Sequence, residues 1–264
     1  MIGSPDYALL DRAGATHTAF YPRSDRSAPP AGASDHSLEV ASGIYLGARL
    51  YGGNPRCPTI VYFHGNGEVA SDHDDVSPMY FQAGTNLLVV EFRGYGTSSG
   101  EPTFATLMSD ASASAALAHE LLNERGFSPQ RFVMGRSLGA HSALEIAAHA
   151  PTGFLGVILE SGAGNLRRWI ERLDLGDDGP TLLAEHEAKL RSIRLPCLMI
   201  HGERDDLIPL DRAKEVYEML DATERELLVI PNAGHNDIVW TGAREYFSAI
   251  KRFILRYGEG IGST

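Results

Sequence analysis

The sequence predicts an α/β protein built on a mainly parallel sheet with helices on both faces, and three observations carry that prediction. Short β-rich runs alternate with helix-length stretches through most of the chain, the pattern of repeated β-α-β units. Runs such as Asn86–Val90 and Gly156–Leu159 are almost continuously apolar, which suits strands covered on both sides. The length of 264 residues allows one chain to bury about 75% of its unfolded surface, so a single domain over 1–264 needs neither disulfide nor metal to hold a core.

The elements follow in order. Residues 1–40 form an N-terminal extension, and 22–37 are rich in Pro, Ser, Gly and Ala, so a mobile surface segment is expected there. Leu38–Ala41 and Gly43–Tyr51 have no helix between them and predict an antiparallel hairpin that opens the sheet. Further strands are expected at Thr59–Phe63, Asn86–Phe92, Arg131–Met134, Leu155–Glu160, Cys197–His201 and Glu226–Ile230. Helices are expected at Phe104–Arg125, at Leu138–Ala150 where Pro151 stops it, at Pro209–Leu220 and at Thr241–Tyr257. The 36 residues 161–196 break the rhythm: Leu166, Ile170 and Leu173 share one helical face, and Leu182–Leu190 suggests a second helix. Either a small helical lid or a decorated crossover fits this interval.

Composition narrows the function. Lys and Arg total 23 against 34 Asp and Glu, a net charge of −11 that repels phosphate backbones and anionic lipid. Neither a nucleic-acid nor a membrane partner is expected. No apolar run approaches the ~18 residues of a membrane span, and the first twenty residues lack the basic start and apolar core of a secretory signal. Cys57 and Cys197 are the two cysteines, without CxxC spacing, so neither a zinc site nor a disulfide framework is expected. A cytoplasmic enzyme fits these features.

The strongest motif is Gly135-Arg136-Ser137-Leu138-Gly139, which runs from a β-like stretch into a helical one. That context lifts a serine hydroxyl above a sheet on a tight strand-to-helix turn. A second GxSxG, Gly96-Thr97-Ser98-Ser99-Gly100, is followed by Glu101-Pro102 and reads as a loop, so Ser137 is the candidate nucleophile. A serine needs a base. Of the ten histidines, His64 and His201 end strands, His119, His141 and His149 lie in helices, and His17, His36 and His186 read as surface. His73 reads as a solvated loop. His235, in the loop after the last strand, is the candidate base. The orienting acid is sought after the preceding strand, in His201-Gly202-Glu203-Arg204-Asp205-Asp206. There Asp205 comes first, Asp206 second and Glu203 third. Glu160 also ends a strand but is read as a partner of Arg136. For an oxyanion, the amide of Leu138 and that of Asn66, in His64-Gly65-Asn66-Gly67, are the candidate donors.

With these motifs in the order Ser137, Asp205, His235, the chain resembles the serine hydrolases of the α/β-hydrolase superfamily from about Gly43 to its C-terminal helix. Phe63 to Glu68 and Phe92 to Gly100 are similar to its small-lid bacterial members and to eukaryotic protein depalmitoylases. The resemblance implies an eight-stranded sheet, catalysis by Ser137, Asp205 and His235, and no cofactor. Haloalkane dehalogenases and epoxide hydrolases are excluded because they carry aspartate where this chain has Ser137. The expected activity is hydrolysis of a small-molecule ester or thioester, with a peptidase or amidase as the alternative enzyme and a non-catalytic binding protein as the alternative class. The family's strand order also separates Cys57 from Cys197 by two strands, so both are expected as free thiols.

Overall fold

In a computed structural model that describes residues 5–258, the chain folds around one eight-stranded sheet. Its strands are β1 (Ala33–Ala41), β2 (Ile44–Tyr51), β3 (Thr59–Phe63), β4 (Asn86–Val90), β5 (Arg131–Arg136), β6 (Phe154–Glu160), β7 (Cys197–Gly202) and β8 (Arg225–Ile230). The helices are α1 (Ala8–Arg12), α2 (Thr16–Ala19), α3 (Ser77–Ala83), α4 (Phe104–Glu124) and α5 (Gly139–His149), then α6 (Arg167–Arg172), α7 (Asp178–Ser192), α8 (Leu210–Met219), α9 (Ile238–Thr241) and α10 (Ala243–Gly258). Strand order is β1-β2-β4-β3-β5-β6-β7-β8. β1, β2 and β4 pair antiparallel, and every later pair is parallel.

Side chains alternate across each strand, so the apolar runs feed two cores. Val61, Phe63, Leu88, Val90 and Val133 pack on one face with α4, α5 and α7. Ile60, Tyr62, Leu87, Val89, Phe132 and Met134 pack on the other with Tyr80 of α3 and Tyr246, Ile250 and Phe253 of α10. Helix α5 is buried from Gly139 to Ala147, which is why its sequence is small and apolar almost all round.

The opening hairpin is longer than its apolar pattern. Residues 33–37, expected in the mobile segment, belong to β1, where Ala33 pairs with Tyr51 and Ser37 with Gly47. Their polarity hides the strand because ion pairs hold this edge. Buried Arg49 reaches Asp35 at 2.7 Å, Asp74 at 3.0 Å and the Ser27 carbonyl at 2.6 Å. Upstream, the Asp11 carboxylate accepts the Phe104 and Ala105 amides at 2.8 and 3.0 Å, capping α4 and anchoring the extension.

Residues 161–196 contain two helices. The longer, α7, packs on α5 and α8 within the helical layer, and the six-residue α6 sets Trp169 against Phe104. Contrary to the surface reading, His186 of α7 is buried, at 1% exposure: Tyr7 O–H and the Gly164 carbonyl occupy its two ring nitrogens. His73 is buried too, against Tyr62, because the short 3-10 turn Ala70–His73 folds back on the sheet. Among the described residues no helix is long and apolar enough to cross a membrane.

β5 and β6 lie between β3 and β7, and both cysteines are free. Three strand spacings separate the cysteine-bearing strand starts by about 14 Å, against the ~7 Å a disulfide allows. Burial pushes the Cys197 thiol up to about 12, whereas Cys57 is half-exposed. Thiol titration should therefore find one readily reacting group in the native protein and two after denaturation without reductant. An intramolecular bridge by mass would contradict this strand placement.

Candidate active site

After β3 the chain turns to β4 on one side, and β5 then forms on the other, so a crevice opens beyond the carboxyl ends of β3 and β5. The loops that leave these two strands carry Asn66 and Ser137. Ser137 holds φ at +49°, a strained value for a non-glycine residue, and its amide donates to the Glu160 carbonyl at 2.9 Å. The flanking glycines make this turn possible: a Cβ on Gly135 would overlap the Gly139 carbonyl, and one on Gly139 would overlap that of Phe63.

Loops from β7 and β8 complete the group. His235 Nε2 lies 2.9 Å from Ser137 Oγ, and its Nδ1 lies 2.8 Å from Asp205 Oδ2. An ionised carboxylate only accepts, so Nδ1 carries the proton and Nε2 is left to accept from the serine. The other oxygen of Asp205 accepts the Leu207 and Ile208 amides at 3.0 and 2.7 Å. Burial alone would raise the Asp205 carboxyl; the hydrogen bonds from His235 and Ile208 outweigh it and hold it below the usual carboxylate range. His201 donates from Nε2 to the Ile208 carbonyl at 2.8 Å, and burial lowers its pKa, so it stands as a neutral neighbour.

The remaining candidates separate cleanly. Asp206 is exposed, and Glu203 accepts the Asn232 amide at 2.9 Å. Glu160 lies 3.3 Å from Arg136 and accepts Tyr246 O–H at 2.7 Å. Ser98 Oγ accepts the Gly47 amide at 2.9 Å, which makes it a loop-to-strand tie. Backbone amides of Leu138 and Asn66 find no acceptor among the described residues.

Two features escaped the sequence. The Asn66 side chain donates to the Ala19 carbonyl at 2.8 Å and accepts from the Tyr21 amide and Tyr95 O–H at 2.9 and 2.6 Å, so the extension holds this loop. No local spacing links residues 19–21 to Asn66. Arg136 also pairs with Glu68, for which the only signal was a glutamate ending the glycine-rich turn.

Known proteins are similar to this chain in sequence and in fold. The family model Hydrolase_4, described as serine aminopeptidase, S33, matches residues 54–175. The chain is 28% identical to the uncharacterized protein Rv2307c of Mycobacterium tuberculosis, over 85% of this chain and 80% of that one. It is 26% identical to alpha/beta hydrolase domain-containing protein 17C of Xenopus tropicalis, over 95% and 85% of the two chains. The solved structure of the Pyrococcus furiosus esterase Pf2001 superposes with a TM-score of 0.70 at 19% identity, covering 90% of this chain and 99% of that one. The chain has the α/β-hydrolase fold, and its sequence is similar to hydrolases of that superfamily.

Proposed function

We propose that the protein hydrolyses small-molecule carboxylic esters or thioesters through an acyl-enzyme on Ser137. The observation that carries this reading is the continuous relay from Ser137 Oγ to His235 at 2.9 Å and on to Asp205 at 2.8 Å, set on a strained elbow. His235 takes the Ser137 proton as the hydroxyl attacks the carbonyl carbon, and Asp205 stabilises the imidazolium that forms. The amides of Asn66 and Leu138 receive the oxyanion, and His235 then protonates the leaving alcohol or thiol. Water, activated by the same imidazole, attacks the acyl-enzyme and releases the acid. These residues do the whole reaction without a cofactor. The net charge of −11 favours a dissolved substrate over nucleic acid or anionic lipid and, with two free thiols, fits a cytoplasmic setting.

An amidase reading has one specific support, the serine aminopeptidase description of the matched family model. The same relay serves an amine leaving group. Fluorophosphonate labelling, followed by turnover of nitrophenyl esters, CoA thioesters and aminoacyl nitroanilides, tests both. Labelling with ester or thioester turnover supports the proposal. Nitroanilide turnover alone would transfer it to amides, and absence of labelling would reject it.

Chain length is a further expectation. Ser137 is only half-buried, and both helices between β6 and β7 pack on the helical layer, α7 on α5 and α8, and α6 on α7 with Trp169 against Phe104. Such a site offers little apolar wall to a long acyl chain, so kcat/KM should be higher for short nitrophenyl esters. A preference for acyl chains beyond about twelve carbons would contradict it, since each added buried methylene contributes only ~0.8 kcal/mol where a wall exists.

A further inference from the structure

We propose that Arg136 is a positioning residue whose single guanidinium sets the oxyanion-donor loop and the histidine loop against Ser137. The inference rests on the roles proposed above for Ser137, His235 and the Asn66 amide. Arg136 precedes the nucleophile on β5, and its side chain, 11% exposed, lies among three groups from separate elements. Nη1 pairs with one oxygen of Glu68, whose other oxygen accepts the Gly65 amide at 2.7 Å. Nη2 donates to the His235 carbonyl at 3.1 Å and to Asn236 Oδ1 at 2.9 Å. Nε lies 3.3 Å from Glu160, which is 1% exposed and held by Tyr246.

The guanidinium thus ties the residue before Ser137 to the amide before Asn66 and to the backbone of the base itself. Burial alone would favour loss of its charge, but Glu68 and Glu160 outweigh burial and keep it cationic. Its fit also dictates sequence elsewhere: a Cβ on Gly65 would collide with Nη1. Lysine keeps the charge but offers one compact ammonium, which cannot serve Glu68 and the His235 carbonyl together. Catalytic geometry is sensitive to shifts of about 1 Å, which cost roughly 100-fold in rate. A device of this kind therefore acts on kcat, because it sets the reacting groups and does not touch the ground-state substrate.

The test uses the whole protein and nitrophenyl acetate. Arg136→Gln is expected to lower kcat roughly 100-fold with KM within about threefold. Arg136→Lys should recover less than a tenth of the loss. Glu68→Gln should cost less than Arg136→Gln, and the double variant should be no slower than Arg136→Gln alone, since Arg136→Gln already cuts the linkage that Glu68→Gln removes. A cavity of about 120 Å3 lined by Tyr62, His73, Tyr80 and Trp240 opens beside the guanidinium, so free guanidinium ion should restore Arg136→Ala saturably. That rescue keeps the test decisive if Arg136→Gln folds poorly. The inference is overturned if folded Arg136→Gln keeps kcat within twofold, if the loss falls on KM alone, or if guanidinium raises the melting temperature of Arg136→Ala without raising kcat. If Ser137→Ala keeps the parent activity, the underlying reading fails as well. An inactive Ser137→Ala beside a fully active Arg136→Gln would sink the positioning role alone.

Discussion

Ser137→Ala is expected to lower kcat for ester hydrolysis on the order of 10^6-fold and to abolish fluorophosphonate labelling. What remains should be the modest acceleration that oxyanion donors and binding give without a nucleophile. The protein should stay folded, because Ser137 Oγ has His235 as its only hydrogen-bond partner among the described residues. Ser98→Ala is the control. It removes the acceptor of the Gly47 amide, worth about 1 kcal/mol of stability, and leaves turnover near the parent value. Equal loss of activity from a folded Ser98→Ala would refute the assignment of the elbow.

His235→Ala should cost as much as Ser137→Ala, and the double variant no more, because the two act as a unit. Asp205→Asn should cost somewhat less, on the order of 10^4-fold. The asparagine carbonyl can still accept the Leu207 and Ile208 amides that Asp205 holds at 3.0 and 2.7 Å, so the loop survives. Its amide group, however, donates to Nδ1, which forces the imidazole into the tautomer that cannot accept from Ser137. Asp206→Asn, at an exposed neighbour, should leave kcat unchanged. Activity lost in folded Glu160→Gln but kept in Asp205→Asn would move the acid to the end of β6.

Much of the architecture was legible because it rests on local pattern. Thr59–Phe63 reads as a strand because five consecutive β-formers demand burial on both faces, and its observed bounds are those read from the sequence. β1 was legible only in its second half. Ser34 to Ser37 carry no apolar alternation, since an edge strand held by Arg49 and Asp35 needs none. His186 looked solvated for a similar reason: a polar residue on a mixed helix gives no sign that Tyr7, 179 positions away, will cover it.

By itself the sequence determined the apolar strands, the helices between them, the tight turn that Gly135 and Gly139 permit at Ser137, and the order in which serine, acid and histidine follow. Each of these is set within a few residues, by side-chain period or by the room a backbone has. Only the tertiary structure decided which groups meet. His235 reaches Ser137 across 98 positions, Arg136 reaches Glu68 across 68, and Tyr21 reaches Asn66 across 45. Such contacts exist because strand order brings the ends of β3, β5, β7 and β8 to one side of the sheet, and that order comes from packing the whole chain around two cores.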